Sequence, residues 1–112
     1  MQEKTQLNVE VVPAGPGVTR LVMTGDLDYH TAGDLSALLP GLFGAQAGQG
    51  TVMEADLSGL EFIDSSGVAA LIHLYQACEQ HEMALRIVAL TSYLRHLFQV
   101  TALDRLFDLP TL

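Results

Sequence analysis

The chain has 112 residues, 49% of them hydrophobic and 16% charged. That length suits one domain over residues 1–112, and the apolar fraction supplies a single core, which excludes wholesale disorder. Five Lys and Arg against thirteen Asp and Glu leave a formal charge of −8, so the surface repels nucleic acid and anionic membranes alike. The longest apolar run, Val68-Ala69-Ala70-Leu71-Ile72, is far too short to cross a bilayer. The amino end, Met1-Gln2-Glu3-Lys4-Thr5-Gln6, lacks the basic start and apolar stretch of a signal peptide. The one cysteine, Cys78, can form no internal disulfide. These features predict a cytoplasmic protein without membrane insertion or direct nucleic-acid contact.

Leu7, Val9 and Val11 alternate with polar residues, the period of a half-buried strand. A turn cluster follows at Pro13-Ala14-Gly15-Pro16-Gly17, and Val18 to Thr24 reads as a second strand, antiparallel to the first. Gly25-Asp26-Leu27-Asp28 is an acidic loop. Thr31 is placed to cap a helix, with Asp34 completing a variant capping box. Leu35, Leu38, Leu39, Leu42 and Phe43 share one face of that helix, and Pro40 should kink or split it.

Gly44 to Gly50 reads as a flexible connector without a phosphate-binding pattern. Thr51 to Leu57 is a third strand, with Glu54 an unexpected polar residue inside it. Ser58 to Ile63 reads as a loop with Leu60 and Phe62 as apolar anchors. From Asp64 a helix runs to about His81, with Val68, Leu71, Ile72, Tyr75 and Cys78 as its stripe. Ala84 to Leu90 is apolar enough for a buried central strand. Thr91 or Ser92 caps a short helix carrying Leu94, Leu97 and Phe98, and Phe107 to Leu109 is a candidate last strand. The order ββαβαβα predicts an α/β fold: a mixed sheet of four to five strands, with amphipathic helices covering one face.

The densest polar group is Asp64-Ser65-Ser66-Gly67. With Asp64 as the cap, Ser65 is the first helical residue, where backbone N–H groups lack intrahelical partners and the helix dipole is positive. A phosphate on Ser65 would find donors waiting, and Gly67 would keep the surface low for an approaching protein. An ordinary capped helix start has the same composition. Asp26 and Asp28 could attract a basic partner, although a solvated turn accounts for them equally, and a metal site would need more ligands. His30, His73, His81 and His96 have no metal-ligand spacing. There is no nucleophile elbow and no Walker loop, so neither catalysis nor a cofactor or metal is expected.

Three segments carry a resemblance. They are Gly25-Asp26-Leu27-Asp28-Tyr29-His30-Thr31-Ala32, the stretch from Asp56-Leu57-Ser58-Gly59 through Asp64-Ser65-Ser66-Gly67 to Leu71, and the tail Leu94-Arg95-His96-Leu97-Phe98 with Leu103-Asp104-Arg105-Leu106-Phe107. In this order they resemble the bacterial anti-sigma factor antagonists, small stand-alone members of the STAS domain family. The resemblance implies that Ser65 is phosphorylated by a partner that is both serine kinase and anti-sigma factor. The unmodified chain would bind that partner and release a sigma factor, and a separate phosphatase would reverse the modification. It further implies that Asp26 and Asp28 lie beside Ser65. Asp26, Asp28, Asp64, Ser66 and Gly67 are therefore the expected partner-binding residues. The alternative within the family is a scaffold subunit of a stress-sensing or lipid-transport complex. The chain departs from many members in reading Gly67-Val68-Ala69 where they have Gly-Leu-Gly.

Overall fold

The apolar alternation of the first segment is matched by its neighbour. In the computed structural model, which describes residues 5–43, 50–107 and 109–110, β1 (Leu7–Gly15) pairs antiparallel with β2 (Val18–Leu27). Val9 lies opposite Met23 and Val11 opposite Leu21. The chain then crosses through α1 (Ala32–Leu42) to β3 (Val52–Ile63), and through α2 (Ser65–Gln80) to β4 (Ala84–Ala89). Both crossovers give parallel pairs, in the order β1-β2-β3-β4. A third helix, α3 (Ser92–Val100), and a 3-10 turn at Leu103–Arg105 follow. The result is an α/β domain with a four-stranded mixed sheet, within the range expected.

The core lies between one sheet face and the helices. Leu21, Met23, Met53, Ala55, Leu57, Leu85 and Ile87 fill it from the strands, and Leu35, Leu71, Leu74, Cys78, Leu94 and Phe98 from the helices. Strand side chains alternate, so their neighbours line the opposite face. There the parallel register sets Arg20 against Glu54, and Nε and Nη2 reach the carboxylate at 3.0 and 2.8 Å. That pairing explains the polar residue inside β3. At 43% and 18% side-chain exposure, the pair contributes at most about 1 kcal/mol.

Several expectations change. Strand β1 runs through Pro13 to Gly15, because an edge strand tolerates a residue without a donor. Segment 58–63 is strand, not loop, and β2 reaches Leu27, so Asp26 sits in a strand. Of the two supposed loop anchors Leu60 is buried, but Phe62 is exposed. β4 is an edge strand: Leu85 and Ile87 face the core while Ala84 and Arg86 are exposed. The buried central strand expected from its mean hydropathy is thus an edge strand, with Arg86 on its outer face. No strand forms at 107 or 109, although Phe107 packs against Phe98 and Tyr75.

Pro40 does not split α1. It falls in the last turn, and the carbonyl it leaves unpaired belongs to exposed Ser36, which water can satisfy. On α1 only Leu35 is fully buried, and on α2 the core line is Gly67, Ala70, Leu71, Leu74 and Cys78. Val68, Ile72 and Tyr75 flank that line, half-buried. Of the glycine-rich connector only Gly50 lies within the described residues.

Candidate functional site

The site forms where the carboxyl ends of two parallel strands meet. Leu27 pairs with Ile63, and the Asp64 N–H donates to the Leu27 carbonyl at 3.3 Å. The turn after β2 and the turn after β3 therefore meet at one end of the sheet.

Asp64 joins them. It caps α2 in extended conformation, φ −116° and ψ −171°. Its Oδ1 accepts from the Gly67 N–H at 3.0 Å, and its Oδ2 accepts from the Tyr29 N–H at 3.0 Å. One carboxylate thus fixes both the helix start and the turn after β2, as an N-cap does for orphan donors. Ser65 is the first helical residue and is exposed, while Ser66 is half-buried. The hydroxyl of Ser65 stands at the positive end of a 16-residue helix.

Gly67 has a different part from the one expected. It is buried, and a Cβ there would fall on the Leu27 carbonyl oxygen and 2.7 Å from Ile63 Cγ1. It lets α2 start against β2 rather than lowering an outer surface. Asp28 is also internal, at 4% exposure. Its Oδ1 accepts from the N–H groups of His30 at 2.9 Å and Thr31 at 3.2 Å, and its carbonyl accepts from Ala32 N–H at 2.8 Å. Burial pushes its pKa up, but the Thr5 hydroxyl and these two N–H groups outweigh burial and leave it below the usual aspartate value.

Thr31 does not cap α1 with its side chain. Its hydroxyl turns back, accepting from the Asp28 N–H at 3.0 Å and donating to the Asp26 carbonyl at 2.8 Å. Asp28 and Thr31 thereby lock the turn that presents Tyr29. Asp26 pairs with Phe62 across β2 and β3 and is half-buried. Because Leu27 and Ile63 enter the core, Asp26 and Phe62 lie on the opposite sheet face.

The sequence reasoning missed the aromatic residues here. Tyr29 is 77% exposed, and Phe62 and Tyr93 are each 47% exposed. The Tyr93 hydroxyl donates to the Ile63 carbonyl at 3.3 Å, one residue before Asp64. Tyr29 and Phe62 were visible beside the acidic motifs, whereas Tyr93 reaches the site only through the fold. Among the described residues no group of three or more His, Cys, Asp or Glu could hold a metal ion. No helix among them is long and apolar enough to cross a membrane.

The four-stranded mixed sheet with helices packed on one face is the frame that carries this site. Residues 11–110 match the sequence profile described as "Mlab, STAS domain", and the chain belongs to the STAS domain family. An anti-sigma-B factor antagonist of Listeria monocytogenes is 21% identical over 103 residues, 92% of this chain and 88% of that protein. The crystal structure of an anti-sigma factor antagonist from Mycobacterium paratuberculosis superposes with a TM-score of 0.77 at 27% identity, covering 96% of this chain and 88% of that one. The anti-sigma factor antagonist SpoIIAA in its unphosphorylated form shares the fold, with a TM-score of 0.71 at 19% identity over 93% of this chain and 89% of that one.

Proposed function

We propose that this chain is an anti-sigma factor antagonist: unmodified, it binds an anti-sigma factor that is also a serine kinase, and phosphorylation of Ser65 ends that binding. A separate phosphatase restores it, and the chain itself catalyses nothing. The observation that carries this reading is the exposed Ser65 hydroxyl at the capped start of α2, next to a carboxylate already occupied by two N–H donors. The relatives named for this activity support it.

The switch follows from charge. Phosphorylation adds roughly −1.5 to −2 at neutral pH. At roughly 6 Å and an effective dielectric near 20, each like-charged unit pair with a carboxylate such as Asp64 costs about 3 kcal/mol. Helix-start N–H groups offset part of this in the free chain. A docked partner would strip water from the phosphate as well, so the penalty grows in the complex. A few kcal/mol is about a hundredfold in affinity. Asp28 and Gly67 act here as shaping residues beneath the surface, while Asp26, Asp64 and Ser66 are left to meet the partner.

The test is to mix the chain with purified kinase-type anti-sigma factors and ATP, then to read intact mass and map the modified peptide. One phosphate on Ser65 is expected. Ser65→Ala should bind and stay unmodified, and Ser65→Asp should bind at least about tenfold more weakly. Unaltered affinity of Ser65→Asp, or modification elsewhere, would overturn the reading. The family resemblance also allows a second reading, a STAS subunit of a larger assembly. Its signature is a stable complex in which Ser65 stays unmodified.

A further inference from the structure

Large apolar side chains exposed among the described residues are Val11, Tyr29, Leu38, Phe62, Tyr93 and Val100. Single exposed apolar residues are ordinary. Tyr29 and Tyr93 differ because both are tied to the two residues that precede Ser65. The Tyr29 N–H is held by the Asp64 carboxylate at 3.0 Å, and the Tyr93 hydroxyl by the Ile63 carbonyl at 3.3 Å. Their exposures of 77% and 47% show that core packing does not account for them.

Two exposed rings, on residues that bond to Ile63 and Asp64 just before Ser65, offer a grip near its hydroxyl. An aromatic side chain has few torsions to freeze on docking. Aromatic residues of this kind carry a large share of interface energy. The ground around the rings is acidic: the Asp64 carboxylate accepts the Tyr29 N–H, Glu61 is exposed two residues before Ile63, and the chain carries a net charge of −8. A surface matched to it is therefore cationic. A kinase has such a surface beside its phosphate donor, because a nucleoside triphosphate must itself be held by positive groups.

We propose that Tyr29 and Tyr93 are the two anchoring residues by which the serine-kinase partner grips this chain near Ser65, seated in an apolar surface bordered by Lys and Arg. The assignment rests on the proposed function and deepens it by naming which residues set recognition. It also explains why a phosphate at this point is so disruptive: the dianion arises inside the contact rather than at its margin.

The experiment uses whichever purified kinase-type anti-sigma factor modifies Ser65 of the wild-type chain, with ATP, and measures initial rates against the concentration of this chain. Tyr29→Ala and Tyr93→Ala should each raise KM at least about tenfold and leave kcat within about twofold. Tyr93→Phe keeps the ring and removes the bond to Ile63, and should stay near wild type. Val11→Ala, equally exposed but opposite Leu21 on the far side of β2, should change nothing. Circular dichroism and thermal melting confirm that each variant folds, and the highly exposed Tyr29 keeps the test decisive if Tyr93→Ala does not.

Unchanged KM in the alanine variants, or a loss confined to kcat, would overturn the assignment while leaving the proposed function standing. An equal loss in Tyr93→Phe would move the effect from ring to hydroxyl and overturn Tyr93 as an anchor. A wild-type chain that no such kinase modifies would overturn the proposed function and this assignment with it. Loss of a self-associated form in Tyr29→Ala, seen by sedimentation, would assign the rings to a second copy of this chain instead.

Discussion

At the scale of single residues, the site is held by groups that a partner does not touch. Gly67 is the clearest case. A methyl group there would meet the Leu27 carbonyl carbon at 2.8 Å and Ile63 Cγ1 at 2.7 Å, and backbone cannot turn aside as a side chain can. Gly67→Ala should therefore push α2 away from β2 and destabilise the fold by about 2 kcal/mol, measured by urea unfolding. Gly25 is constrained in another way: its φ is +99°, and a Cβ would fall on the Gln6 carbonyl oxygen, which accepts the Asp26 N–H at 2.8 Å. That glycine fastens the start of β1 to the end of β2, just before the turn that presents Tyr29. Asp28 and Thr31 then close that turn through their reciprocal bonds.

At the scale of elements, helix ends show where local chemistry decides. Asp64 and Thr91 both cap through their side chains, accepting from Gly67 and Leu94 N–H groups at 3.0 and 3.1 Å. The end of α2 is less well served. After His81 the Glu82 N–H donates to the Glu79 carbonyl at 3.0 Å and the Met83 N–H to Cys78 at 2.8 Å. Those bonds, with Met83 and Cys78 both buried, form a Schellman closure. Its left-handed position holds Glu82 at φ 57°, where glycine is the unstrained choice. A second acid, Glu79, lies in the same negative end of the helix. Glu82→Gly should stabilise the domain by about 1 kcal/mol, read as a higher urea midpoint. Glu82→Ala removes the charge but keeps the Cβ, and should recover less.

At the scale of the whole molecule, one core joins the sheet to its helices, and Cys78 reports on it. The residue is 1% exposed, and burial pushes its thiol from about 9 up to about 11. In the unfolded chain the thiol ionises from about pH 9, while in the folded chain it keeps its proton until about pH 11. Over that interval the unfolded state binds fewer protons, so stability falls as pH rises and the effect levels off above it. Urea midpoints at pH 8 and near pH 10.5 should show the decline, and Cys78→Ala should make it shallower. A buried, protonated thiol should also resist thiol reagents at pH 8 until the protein is unfolded.

The amino-acid sequence by itself determined the order of elements, the helix start at Asp64, and the exposed placement of Ser65, because each follows from periodicity or capping within a few residues. That Asp26 and Asp28 lie beside Ser65 was only what the family resemblance implied. Only the tertiary structure decided where those two carboxylates go. Burial turned Asp28 inward, the strand register carried Asp26 to the opposite sheet face, and Gly67 proved to serve packing. It also decided that β4 lies at an edge and that Tyr93, 28 residues beyond Ser65, closes on the Ile63 carbonyl. Pairing of strands and docking of helices are set by contacts between residues far apart in the chain. Local propensity carries no record of such contacts.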